Sequence, residues 1–155
     1  MIEAGSDQLS AAQTIALNAL APRAKSRGEL ASHLKRRGIE EDVAVEVLDR
    51  LEKSGLVNDL EFARAWASSR MRAKNLSKRV IANELREKGV TADLIAIALD
   101  EIDSDLEYRA ALELGMRKAR SLARFDEDVR ERRLVSALQR KGFNFSVISA
   151  VLKEI

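Results

Sequence analysis

The stretch SKRVIANELREKGVTADLIAIALDEI, residues 77–102, decides the fold. Leu85 and Ile81 lie four and eight residues before Gly89, and Val90, Leu94-Ile95, Ala98-Leu99 and Ile102 follow it. Apolar residues at this spacing form the stripe of an amphipathic helix on each side of the glycine. The glycine itself is the residue expected where a helix ends in a left-handed turn.

The pattern occurs twice more. Around Gly38 it reads Leu30, Leu34, Ile39, Val43-Ala44, Val47-Leu48 and Leu51; around Gly142 it reads Leu134, Leu138, Phe143, Val147-Ile148, Val151-Leu152 and Ile155. The glycines are 51 and 53 residues apart, so the chain is a threefold repeat. Start signals add a further helix to each unit. Ser26 with Glu29 and Asn58 with Glu61 have the spacing of capping boxes. Val57 with Phe62, Leu76 with Ile81 and Val90 with Ile95 stand at staple positions. Pro22 ends the first helix, and Arg124 to Asp126 form a polar join. The fold expected is all-α: three tandem three-helix repeats over residues 1–55, 56–103 and 104–155. Helices are expected near 8–21, 27–37 and 41–54, then 59–74, 78–88 and 92–103, and finally 105–123, 127–141 and 145–155. Units of about 50 residues gain by stacking into an elongated, solenoid-like body whose curvature the sequence leaves open.

Composition agrees and excludes several classes of function. Aromatic residues are 4% of the 155 and there is a single proline, too little for a sandwich or barrel. No cysteine means no disulfide, thiol nucleophile or cysteine metal site, and a single histidine, His33, builds no histidine cluster. No apolar run reaches the length of a membrane span. Met1 to Asp7 lack a basic segment ahead of an apolar core, so no secretory leader is expected and the protein is read as cytoplasmic. No cofactor is implied, and a monomer is expected.

With 27 basic and 25 acidic residues the net charge is only +2, but the charges are sorted into blocks. Residues 40–61 carry −6, 64–88 carry +6, 90–113 carry −6 and 117–141 carry +5. Isolated charges on helices are ordinarily solvated or paired at i, i+4. Sorting into blocks concentrates positive faces able to meet phosphate or an acidic protein surface. The candidate contacts are Arg70, Arg72, Lys74, Lys78 and Arg79 in the second repeat, and Arg117, Lys118, Arg120, Arg130 and Arg133 in the third.

The helix–glycine–helix outline also suggests a DNA-reading helix pair. The helix after Gly38 is rich in acids and the one after Gly89 carries four acids and no base, so flanking phosphates would repel both. No catalytic residue is assigned: phosphate-loop motifs are absent and no nucleophile or carboxylate is placed beside His33 by a recognised motif, so a surface histidine is expected there. Phe62 and Trp66 are expected in the core, and Phe143 and Phe145, flanking Asn144, are expected as a staple.

The sequence resembles the RecX regulators of the bacterial recombinase RecA. The resemblance is carried by Leu51, Gly55-Leu56-Val57-Asn58-Asp59, Phe62-Ala63, Trp66 and Arg70, then by Arg79, Ile81, Glu84-Leu85 and Lys88-Gly89-Val90. Lys25-Ser26, Glu29-Leu30, Arg133-Leu134, Leu138 and Arg140-Lys141-Gly142-Phe143 extend it across about residues 15–155. Lys25 stands where the family usually has Arg, and Lys74-Asn75 where it usually has Lys-Gly; Asn tolerates the left-handed turn that glycine would make. The resemblance implies three tandem repeats that bind RecA within its filament on single-stranded DNA. It further implies restraint of ATP hydrolysis, filament growth and strand exchange, in DNA repair and the SOS response. The alternative reading is a sequence-independent DNA-binding protein acting without the recombinase.

Overall fold

A computed structural model describes residues 2–155, with side chains from residue 5 onward. Met1, the first residue of the leader reading, lies outside the described residues. Among these there are nine helices and no strand. The first repeat holds α1 (Ile2–Leu20), α2 (Arg27–Arg36) and α3 (Glu41–Lys53). The second holds α4 (Asp59–Lys74), α5 (Lys78–Glu87) and α6 (Ala92–Asp100), and the third α7 (Ser104–Ser121), α8 (Glu127–Arg140) and α9 (Phe145–Glu154). Only α1 departs from expectation by more than a few residues. It starts well before residue 8, because nothing from Ile2 to Asp7 stops a helix.

The three glycine turns are alike in detail. Gly38, Gly89 and Gly142 all have φ between 81° and 95°, the left-handed region that a Cβ makes costly. The amide of the next residue then donates to the leucine four residues before the glycine: Ile39 to Leu34, Val90 to Leu85 and Phe143 to Leu138. Those leucines are fully buried. Capping follows the sequence signals: Ser26 and Glu29 form a reciprocal box, while Asn58, Ser77 and Asn144 accept from the amide three residues on. Each such cap contributes about 1 kcal/mol.

Stacking of the repeats follows one rule used twice. The second helices α2, α5 and α8 follow head to tail, the N-termini of α2 and α5 each seated on the glycine turn of the next. Ser26 donates its hydroxyl to the Lys88 carbonyl at 2.5 Å, and the equivalent Ser77 donates its backbone N–H to the Lys141 carbonyl at 3.0 Å. One residue on, the Arg27 amide donates to Asp59 of α4, and the equivalent Lys78 amide donates to Glu107 of α7. Positive helix ends thus meet negative ones. In the third repeat the equivalent position is Arg130, inside an α8 that is about one turn longer than α2 and α5.

The apolar cores do not divide into three. Residues of α1–α3, with Val57, enclose one core. The second and third repeats share another, which runs from Phe62 and Ala67 through Met71, Ile81 and Leu85 to Ala111, Leu114, Leu138 and Val151. The expected Val57–Phe62 staple is therefore divided, one residue in each core. Phe143 is buried with Ile148 as a staple would be, whereas Phe145 is 84% exposed. It occupies the first helical position, beyond the N′ position from which a staple packs.

Candidate partner-binding surface

The charge blocks partly neutralise one another across elements. Arg27 of α2 pairs with Asp49 and Glu52 of α3, and Arg64 of α4 pairs with Glu101 just beyond α6. The Arg64–Glu101 hydrogen bonds raise the arginine and lower the carboxyl, on an exposed face. Among the described residues no helix is long and apolar enough to cross a membrane, and no group of three or more ligating side chains could hold a metal ion.

The ten candidate cations fall into several groups rather than one patch. Arg70 forms a two-pronged bond to Glu84, at 3.0 and 2.7 Å, with its guanidinium 5.4 Å from the Trp66 ring centre. Lys78 donates its ammonium to the Ile102 carbonyl at 2.6 Å, at the end of the second repeat. Arg79 reaches toward the Gly142 carbonyl across the junction with the third repeat. These three are engaged within the molecule, although Arg79 remains largely exposed.

Arg72 and Lys74 are exposed at the end of α4, and Arg117 of α7 is tied to that end through Asn75. Asn75 is left-handed (φ 53°) and buried, and its amide also donates to the Ala110 carbonyl. At the position where glycine is usual in the resembling family, this side chain therefore keeps the turn and bonds the third repeat. Arg72 also rims an apolar groove of about 420 Å³ between α4 and α7, floored by Met71, Leu106 and Ala110. Lys118 and Arg120 lie exposed on α7, Arg130 edges a hollow beside Leu134 and Ile155, and Arg133 packs over Phe125 at 4.3 Å.

One concavity was not legible in the charge blocks. It is a cleft of about 800 Å³ between the first and second repeats, with the Gly28–Gly89 contact at its base. Trp66 lines it, half-buried, stacked on Phe62, and donating its indole N–H to Glu84 at 3.1 Å; the Lys88 ammonium sits 4.3 Å from its ring. Glu29 accepts from Arg23 at 2.9 Å and from Lys88 at 3.2 Å, and also takes the Ser26 amide. Burial alone would push this carboxyl up, but those bonds outweigh burial and hold it at about 2. His33 lines the same cleft and is half-buried rather than fully on the surface. The signal missed was the repeat alignment itself, since Ser26 and Ser77 share one offset from their glycines and mark where consecutive repeats touch.

Comparison with known proteins agrees with this architecture domain by domain. Family models match at residues 12–51 (RecX, first three-helix domain), 58–99 (second) and 105–152 (third). The Regulatory protein RecX of Streptomyces coelicolor is 40% identical over 148 residues, covering 96% of this chain and 79% of that protein. That of Mycobacterium marinum is 40% identical over 142 residues, covering 91% of this chain and 82% of that protein. The crystal structure of RecX from Lactobacillus salivarius superposes with a TM-score of 0.87 at 23% identity, over 96% of this chain and 97% of that one, a likeness of fold. With all three domains matched in order and relatives at this identity over nearly the whole chain, the chain belongs to the RecX family of regulatory proteins.

Proposed function

We propose that this chain regulates a RecA-type recombinase by binding its filament on single-stranded DNA and lowering ATP hydrolysis, filament growth and strand exchange. The observation that carries the reading is the match of all three RecX domains in sequence order. The charge distribution supports it: exposed cations on α4 and on α7 and α8 belong to two different repeats, so one molecule can touch more than one site on a periodic filament. Contacts that are individually modest then sum, because each later contact is intramolecular. Bridging that favours one filament state lowers activity with no chemistry of its own. In this reading the protein acts as a cytoplasmic monomer, with residues 1–55, 56–103 and 104–155 as its units. Arg72, Lys74, Arg117, Lys118, Arg120, Arg130 and Arg133 supply direct contacts, while Arg70, Lys78 and Arg79 serve chiefly to hold the body that presents them.

The test is recombinase ATP hydrolysis on single-stranded DNA, titrated with this protein beside a naked-DNA binding control. Inhibition is expected well below the concentration that coats naked DNA. The charge reversals Arg72→Glu, Lys74→Glu and Lys118→Glu together should weaken inhibition by at least about tenfold with the helical circular-dichroism spectrum intact. If hydrolysis falls only where the protein saturates the DNA, competition for DNA suffices and the reading becomes a sequence-independent DNA-binding protein. No change at any concentration rejects inhibition of this ATPase.

A further inference from the structure

The cleft between the first and second repeats holds more positive charge than its own carboxylates match. Glu29 is shared by Arg23 and Lys88, and Glu84 is held by Arg70. Glu87 is the remaining acid in the lining. Lys25 and Arg36 also line the cleft, and among the described residues neither has a hydrogen-bond or ion-pair partner. Lys25 is half-buried and Arg36 exposed, and both border the cleft without a counter-charge of their own. His33 is beside them on the same wall.

Geometry narrows the missing counter-charge. Cations approach from three elements: the segment before α2 brings Arg23 and Lys25, α2 brings Arg36, and the α4–α5 side brings Arg70 and Lys88. A planar carboxylate presents two oxygens in one plane, whereas a tetrahedral phosphoryl group presents oxygens in several directions and suits donors arriving from several sides. The carboxylates Glu29 and Glu84 hold Arg23, Lys88 and Arg70 in place, so little ordering remains at binding. We infer that this inter-repeat cleft is a phosphate-binding site, in which Lys25 and Arg36 make the direct contacts beside His33. It stands on the cleft alone and does not depend on the recombinase reading.

The protein carries its own reporters. His33 is the only histidine and Trp66 the only tryptophan in the chain, and both line the cleft. The full chain is titrated at constant ionic strength with inorganic phosphate, with a short oligothymidylate and with a glutamate-rich peptide, and with no recombinase present. His33 imidazole resonances and Trp66 fluorescence are followed together. Both signals should move saturably with the two phosphate probes. Tighter binding of the oligonucleotide assigns the site to a nucleic-acid backbone, and tighter binding of inorganic phosphate assigns it to a free phosphate group. Lys25→Gln with Arg36→Gln should weaken either by at least roughly tenfold, as expected on losing two charge-assisted bonds. The site is overturned if His33 does not respond to either phosphate probe in the unaltered protein, if the double variant binds as well as its parent, or if the acidic peptide saturates first. The first of these readings needs no variant, so misfolding of the double variant leaves the test intact.

Discussion

The two inter-repeat junctions use the same plug and socket, yet they are sealed differently. At the first, Ser26 and Arg27 reach across to Lys88 and Asp59, and Gly28 lies against Gly89, while the apolar cores on the two sides stay separate. At the second, Ser77 and Lys78 make the matching bonds to Lys141 and Glu107, and one continuous apolar core also passes through. Polar bonds on folding replace bonds to water and contribute little net, whereas buried apolar area contributes in proportion to its extent. The second and third repeats should therefore unfold as one unit and the first should detach more readily.

The largest blow to this contrast falls at Gly142. A Cβ there would sit 2.3 Å from both the Ser77 hydroxyl oxygen and the Val80 Cγ2, on a backbone already at φ 95°. Gly142→Ala should cost roughly 3 kcal/mol or more, lowering the main thermal transition. The same change at Gly38, where φ is 81° but nothing lies within 4 Å, should cost only about 1 kcal/mol for the left-handed backbone. Near-equal losses would mean that the junction contacts matter little.

Gly28→Ala sharpens the comparison at the weaker seam. Its Cβ would come within 2.7 Å of the Lys88 carbonyl, and backbone on both sides cannot yield as a side chain would. The position lies in a helix, where alanine is otherwise better by about 1 kcal/mol. A net loss of about 2 kcal/mol confined to the first junction is expected. Trp66 fluorescence should shift at lower denaturant than the far-ultraviolet circular dichroism, a separation that a single cooperative unit cannot show.

Acid should act on the same seam more gently. The Glu29 carboxyl lies well below its ordinary value when folded, so the stability it contributes is complete above that ordinary range and is lost as pH falls toward about 2. Stability measured across that interval should decline, and Glu29→Gln should make the decline shallower. An unchanged slope in the variant would place the acid sensitivity elsewhere.

Most of the helical order was legible because each glycine is bracketed by apolar residues at fixed offsets, and a helix turns that spacing into a buried stripe. The caps at Ser26, Asn58 and Ser77 were readable for the same local reason. What escaped was contact between residues far apart in the chain. Nothing in residues 64–88 as a block says that Arg70 and Lys78 are engaged within the protein while Arg72 and Lys74 face solvent. Nor could Lys25, His33 and Arg36 be grouped with Trp66 before the Gly28–Gly89 contact was known. Phe145 was misread because staple geometry depends on one position, and the cap at Asn144 assigns it to Phe143.

The plug-and-socket rule also separates the middle repeat from the third. The middle repeat presents the Ser77 amide to the turn after it and a Lys-Gly turn that receives Ser26 from before it, so a cassette of residues 56–103 inserted after itself keeps these polar contacts while setting unlike apolar faces together. The third repeat presents Arg130 on a lengthened α8 where that serine would be, and duplicating it should not continue the series. What sets the third repeat apart is the extra turn of α8, which uses the Arg130 amide in a bond to the Asp126 carbonyl rather than presenting it at a helix end.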